Sequence, residues 1–204
     1  MLQNRVDPSG NIISTSARGA WMGNRGQLHD EHQQIVRPFK LKAWLTCMLQ
    51  YKGRYRKVMS PNRYTELFFL DEVTAFAAGH RPCFECRRKD YERFKSFWIT
   101  GNRKLGFDHN TSINNIDKVL HKERIGSKGE KITYKEKIKS LPDGAFVQID
   151  DKTYLLAKEQ LYPWTAFGYE APIPLPETEI VTVLTPKSTV NAFKAGYKPQ
   201  IAIN

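Results

Sequence analysis

The sequence predicts an α+β protein: a small αβ module over residues 12–100, then a polar, basic linker over 101–140 holding a short helix, then a small β-rich unit over 141–204. Three observations predict this. Short apolar runs alternate with helix-spaced aromatic stripes in the first part, strand-like runs separated by turn residues fill the last, and the segment between is polar and dotted with glycine. A chain of 204 residues can bury an ordinary core without covalent staples.

The elements follow in order. Residues 4–16 are polar around a Pro8-Ser9-Gly10-Asn11 turn signal and read as an extended arm or turn. In 18–30, Gly19, Gly23 and Gly26 interrupt Trp21, Met22 and Leu28, which suggests an ordered loop with little regular structure. The aromatic-rich run 39–51 and the run 54–59 flank Lys52-Gly53 and predict a hairpin. A turn at 60–62 leads to a short buried strand over 66–70. Asp71 then caps a helix over 72–78 that Gly79 ends.

Tyr91, Phe94 and Trp98 share one face of a second helix over 90–100, and this stripe belongs to the core. In the linker, Ile113, Ile116 and Leu120 mark one amphipathic helix, and 122–139 reads as flexible or as a hairpin arm. Beyond it, 145–149 and 153–157 form a hairpin about Asp150-Asp151-Lys152. Tyr162, Trp164, Phe167 and Tyr169 pack around a turn at Gly168. The proline-dense 171–176 is a rigid connection, 179–184 a strand, and Ser188 the cap of a last helix ended by Gly196.

Charge bounds the function. Lysine and arginine outnumber the acids 32 to 21, the net charge is +11 and the pI about 9.6, which points to a polyanionic partner, nucleic acid, with DNA ahead of RNA. The excess gathers at 52–57, 87–89 and 118–139. No apolar run approaches the roughly 18 residues of a membrane span. Three cysteines are an odd number, and the start MLQNRVDPSG lacks a cationic region followed by an apolar one, so a reducing cytoplasm is expected.

The chemistry concentrates in AAGHRPCFECRR, residues 77–88. Cys83 and Cys86 have the spacing that lets a tight turn bring two sulfurs within about 2.3 Å of one metal ion. A redox pair of the thioredoxin kind needs a βαβ setting, which Pro82 and the basic Arg87, Arg88 and Lys89 do not supply. The longer stretch LFFLDEVTAFAAGHRPCFECRR, residues 67–88, resembles the zinc-binding region of the Ada-type DNA repair protein, closely here and loosely over 40–98. Phe68, Phe69, Glu72, Ala75, Ala78, Gly79, Arg81, Pro82, Cys83 and Cys86 fit that family's order.

The resemblance implies a zinc module that contacts DNA and, in Ada itself, a zinc-bound cysteine that accepts a methyl group. The family carries two upstream cysteines; this chain has one, Cys47, and His80 stands where an aromatic residue is usual. The expected zinc ligands are therefore Cys47, Cys83, Cys86 and His29. Asp30, His32 and His80 are the other candidates for the fourth place, because LHDEH at 28–32 offers three ligand-type side chains. Four protein ligands would make a closed, structural site, whereas three would leave room for water or a nucleophilic Cys47 thiolate.

Arg54, Arg56, Arg81, Arg87 and Arg88 are the expected phosphate contacts, since guanidinium forks match phosphate oxygens. Two rivals to a nucleic-acid binder stand beside this reading: an enzyme, by alkyl transfer to Cys47 or by metal-dependent hydrolysis, and a zinc-stabilised interaction module. Asp108, His109, Asn114, Asn115, His121 and Glu123 supply nuclease-type groups, but too few residues separate His109 from the asparagines for the hairpin such a site needs.

Overall fold

A computed structural model describes residues 1–55, 57–177 and 180–203. Arg56 and the start of the strand expected over 179–184 lie outside the described residues. The protein is α+β, with two sheets and four helices among the described residues.

The first sheet holds β1 (Gln3–Val6), β2 (Ile12–Ser14), β3 (Trp21–Asn24), β4 (Leu45–Cys47), β5 (Leu67–Phe69) and β6 (Arg81–Pro82), in the order β2-β1-β5-β3-β4-β6. The pairs β1/β5 and β4/β6 are parallel and the others antiparallel. Two expectations are corrected here. The stretch 18–30 is no loop, because β3 runs through the middle of the sheet. Its Gly23 marks a close approach: a Cβ there would stand 2.4 Å from the Phe69 ring. The hairpin of 39–51 with 54–59 does not form either, since β4 pairs with β3 and β6 instead.

Helix α1 (Glu72–Ala77) forms as the sequence predicts. Asp71 Oδ1 accepts from Thr74 N at 2.9 Å and from Thr74 Oγ1 at 2.6 Å, and Gly79 leaves the helix at φ +90°. Buried Asp71 also accepts from Tyr169 Oη at 2.8 Å and from Ala202 N at 3.0 Å, so one carboxylate joins the helix cap to the second sheet and the C-terminal segment.

Helix α2 (Arg88–Gly101), helix α3 (Ile113–Arg124) and helix α4 (Lys187–Lys194) build a shared core in which Phe94 and Trp98 meet Ile116, Leu120, Phe193 and Tyr197. The helix expected in the linker thus contributes to the core. Ser188 lies inside α4 and does not cap it; its N–H and hydroxyl donate to Glu123 Oε2 at 2.9 and 2.6 Å.

The second sheet is antiparallel: β7 (Tyr134–Lys137), β8 (Phe146–Ile149), β9 (Lys152–Ala157), β10 (Gln160–Thr165), β11 (Gly168–Tyr169), β12 (Ile173–Pro174) and β13 (Ile180–Val183) run in the order β11-β10-β9-β8-β13-β7, with β12 on β10. The expected β8–β9 hairpin turns at Asp150 and Asp151, both at positive φ as its tight turn demands. Val73 and Ala77 of α1 pack on Phe146 and Leu155 of this sheet and on Leu184 just past β13. Among the described residues no helix is long and apolar enough to cross a membrane.

Candidate metal centre

Strand pairing creates the centre. The parallel register of β4 and β6 sets Thr46 beside Pro82, and Cys83 N donates to Thr46 O at 2.9 Å, so Cys47 and Cys83 leave the sheet side by side. A turn then carries the chain from Cys83 to Cys86, closed by Arg87 N donating to Cys83 O at 3.1 Å, and α2 begins. The three sulfurs lie within 4.8 Å of one another. Tetrahedral bonds of about 2.3 Å place sulfurs roughly 3.8 Å apart, so the cluster is of a size to close on one ion.

The electrostatics of the cluster suit that reading. As thiols the three share protons: hydrogen bonds from Cys47 and Cys86, with the backbone N–H groups of Cys86 and Glu85, hold Cys83 well below the usual thiol range. The bond to Cys83, then that to Cys86, and burial push Cys47 up. The bond with Cys47 and the Met48 N–H, 3.4 Å from Cys86 Sγ, favour a thiolate at Cys86, but the bond with Cys83 and burial outweigh them and push this thiol up. Cys47 and Cys83 are buried and Cys86 is half-buried.

None of the four candidates for a further ligand joins the sulfurs, and His29 is corrected first. Its Nδ1 lies 2.6 Å from Thr65 Oγ1 and its Nε2 3.2 Å from Ser60 O, so both ring nitrogens serve the fold. Asp30 Oδ1 accepts from His32 N and Gln34 N to build a turn, and His32 is exposed beside Glu31. His80 is buried between Phe69 and Trp44, and its Nε2 accepts from Arg25 Nε at 3.2 Å. Among the described residues the protein gathers three donors, all sulfur.

The arginines divide. Arg81 is only 4% exposed and forks onto both oxygens of Asp117 at 2.7 Å, while Arg87 is buried against Glu72 and Asp90. Both are corrected as phosphate contacts, because each already has carboxylate partners inside the protein. Arg54 and Arg88 are exposed, in surface pairs with Glu85 at 2.8 Å and Glu92 at 2.5 Å. Arg56 lies outside the described residues.

Sequence reasoning missed the apolar side chains beside the sulfurs. Phe84 stands between the two motif cysteines and is half exposed, with the Arg88 guanidinium 4.1 Å from its ring; Met48 and Leu49, just after Cys47, are also exposed. The signal was available, since when both cysteines of a C-x-x-C turn face inward the residues between them face out. The nuclease-type groups do not converge: His121 packs on Phe39 with ring centroids 4.8 Å apart, and Glu123 holds Ser188. Comparison with protein families, curated proteins and solved structures finds no match to this chain.

Proposed function

We propose that the three-cysteine centre holds zinc and that the surface around it binds nucleic acid, DNA ahead of RNA. Thiolates are soft donors that suit zinc, and a reducing compartment, the cytoplasm, would keep them available. The observation that carries the nucleic-acid half is the arginine–aromatic surface beside the sulfurs: Arg88 over Phe84, and Arg54 5.5 Å from the Tyr51 ring, with Tyr55 94% exposed nearby in sequence. Such a surface offers cations to phosphates and ring faces to unstacked bases. The pairs with Glu85 and Glu92 are exposed and worth only about 0–1 kcal/mol, so a phosphate can replace them.

The resemblance of residues 67–88 to the Ada-type zinc-binding region supports the same reading. A second reading rests on the count of donors. With three sulfurs from the protein, a fourth position is open to water or an outside group, the arrangement of catalytic rather than structural zinc. Alkyl acceptance would then fall more naturally on Cys86, the most open sulfur, than on buried Cys47.

Elemental mass spectrometry with X-ray absorption tests the metal. About one zinc per chain with three sulfur neighbours is expected, and folded protein free of metal would overturn it. Fluorescence anisotropy with single- and double-stranded DNA and RNA across a salt series tests the partner. Affinity should fall steeply with salt, by a log–log slope of about −0.9 per phosphate neutralised on duplex DNA, and salt-independent or absent binding would sink that half.

A further inference from the structure

A cavity of about 420 Å³ opens where the β1–β2 turn, the segment 35–38 and the end of α3 meet, and none of the three cysteines lines it. Its walls carry Arg25, Arg37, Arg124 and Lys131, and no aspartate or glutamate among the described residues. Arg25 and Arg124 are 1% and 2% exposed. Their guanidinium carbons lie 3.9 and 4.0 Å from the ring of Trp44, which also lines the cavity.

The partners of these cations are neutral. Arg25 Nη1 donates to Gly10 O at 3.0 Å and its Nε to His80, whereas its Nη2 has no partner among the described residues. That Nη2 is buried 3.8 Å from where a Cβ on Gly10 would lie, so the unspent donor sits just behind a residue of the cavity wall. Arg124 spends Nη1 on Gly79 O at 2.8 Å and Nη2 on Lys42 O at 2.6 Å, with His121 Nδ1 3.1 Å from the same Nη2, and its Nε has no partner among the described residues. The Lys131 ammonium donates to Ala77 O. Two carboxylates act on this group without lining the cavity: Asp7, tied to Asn11 N at 2.9 Å, on Arg25 and Lys131, and Asp117, held by Arg81, on Arg124.

Gathering like charges in a desolvated place is costly unless an anion completes it. We propose that this cavity binds the phosphate of a small organic phosphate monoester, held by Arg25, Arg124 and Lys131, with Arg37 at the mouth. The volume exceeds what a bare phosphate needs, and Ile35 and Pro38 give the rest of the ligand an apolar wall. Burial pushes Arg25 down to about 9 and Lys131 down to about 7, the state of cations short of a counter-charge. The site is independent of the metal centre.

The same chemistry has a second source, the 5′-phosphate end of a nucleic acid, and the test separates the two. Inorganic phosphate, a nucleoside 5′-monophosphate, and 5′-phosphorylated and 5′-hydroxyl tetranucleotides are added to the full chain at constant ionic strength, with melting temperature and calorimetry as readouts. Saturable binding of the monophosphate is expected, raising Tm by about 5 °C at one hundred times Kd, with chloride inert. Binding of only the 5′-phosphorylated tetranucleotide would uphold the phosphate site and assign it to nucleic-acid ends.

Two variants localise the binding. Lys131→Met should weaken it by about tenfold or more, and exposed Arg37→Ala, chosen because it leaves the core intact, several-fold. The proposal is overturned if neither inorganic phosphate, the monophosphate nor the 5′-phosphorylated tetranucleotide stabilises the protein beyond chloride, or if both variants bind these phosphates as the wild type does. Arg54→Ala, which touches the surface at the metal centre, should leave this binding unchanged, so the two sites fail or stand separately.

Discussion

Among the described residues two pairs of arginines are buried, and they differ in what surrounds them. Arg81 and Arg87 face carboxylates: both oxygens of Asp117 for one, Glu72 and Asp90 for the other. Arg25 and Arg124 face backbone carbonyls, two histidines and one indole. Burial is nearly the same, so burial does not say what an arginine is for. A neutralised cation is part of the scaffold, and one held among neutral donors and acceptors beside a cavity is a binding group waiting on charge from outside.

The comparison breaks most sharply if the carboxylate is removed from the first pair. Asp117→Asn keeps the shape but leaves Arg81 charged, buried and alone, and should cost about 3–5 kcal/mol in urea denaturation. A loss under 1 kcal/mol would mean the two pairs are not different in kind. Arg25→Met should cost less, about 1 kcal/mol, because it removes an uncompensated cation along with its neutral hydrogen bonds. It should also abolish stabilisation by phosphate, which Asp117→Asn should not.

Legibility in the sequence follows the same division. Features set by neighbours along the chain were readable: the Asp71 cap and Gly79 stop of α1, the Asp150-Asp151 hairpin, and the aromatic stripe of α2. The Cys83 and Cys86 pair was readable for the same reason, and Cys47 was found because the chain has no other cysteine. Features set by contacts across the fold were not. Gly23 looked like a loop residue until Phe69 lay against it, and His29 looked like a ligand until Thr65 and Ser60 took both its nitrogens. Arg81 looked like a surface cation because Asp117 lies 36 positions away. The cationic cavity had no local signal at all, since its walls come from the β1–β2 turn, Arg25 just after β3, the segment 35–38, Trp44 just before β4, the end of α3 and the strand-like return at Lys131.

The pH dependence of stability sharpens the reading of the second group. Lys131 is held at about 7 in the fold against 10.5 when free, with burial the main cause, Arg25 and Arg124 adding to it and Asp7 opposing. A lowered basic group means that the unfolded chain binds more protons across that window. Stability should therefore rise with pH between about 7 and 10, by at most about 1.4 kcal/mol per unit. The difference between wild type and Lys131→Met, in phosphate-free buffer, isolates this contribution. Curves that run parallel across the window would show that Lys131 already has a compensating partner.

The smallest stability effect belongs to the exposed arginines, where the functional effect should be plain. Arg88 pairs with Glu92 four residues on and lies over Phe84, with its side chain 59% exposed, so Arg88→Ala should change stability by less than about 1 kcal/mol. If the surface at the metal centre takes nucleic acid, the same substitution removes one phosphate contact and one platform for stacking. Affinity should fall several-fold and the salt slope should shrink by about one. The reverse result, unchanged binding with lost stability, would place Arg88 among the scaffold arginines and leave the cavity at Arg25 as the one cationic site with a ligand to find.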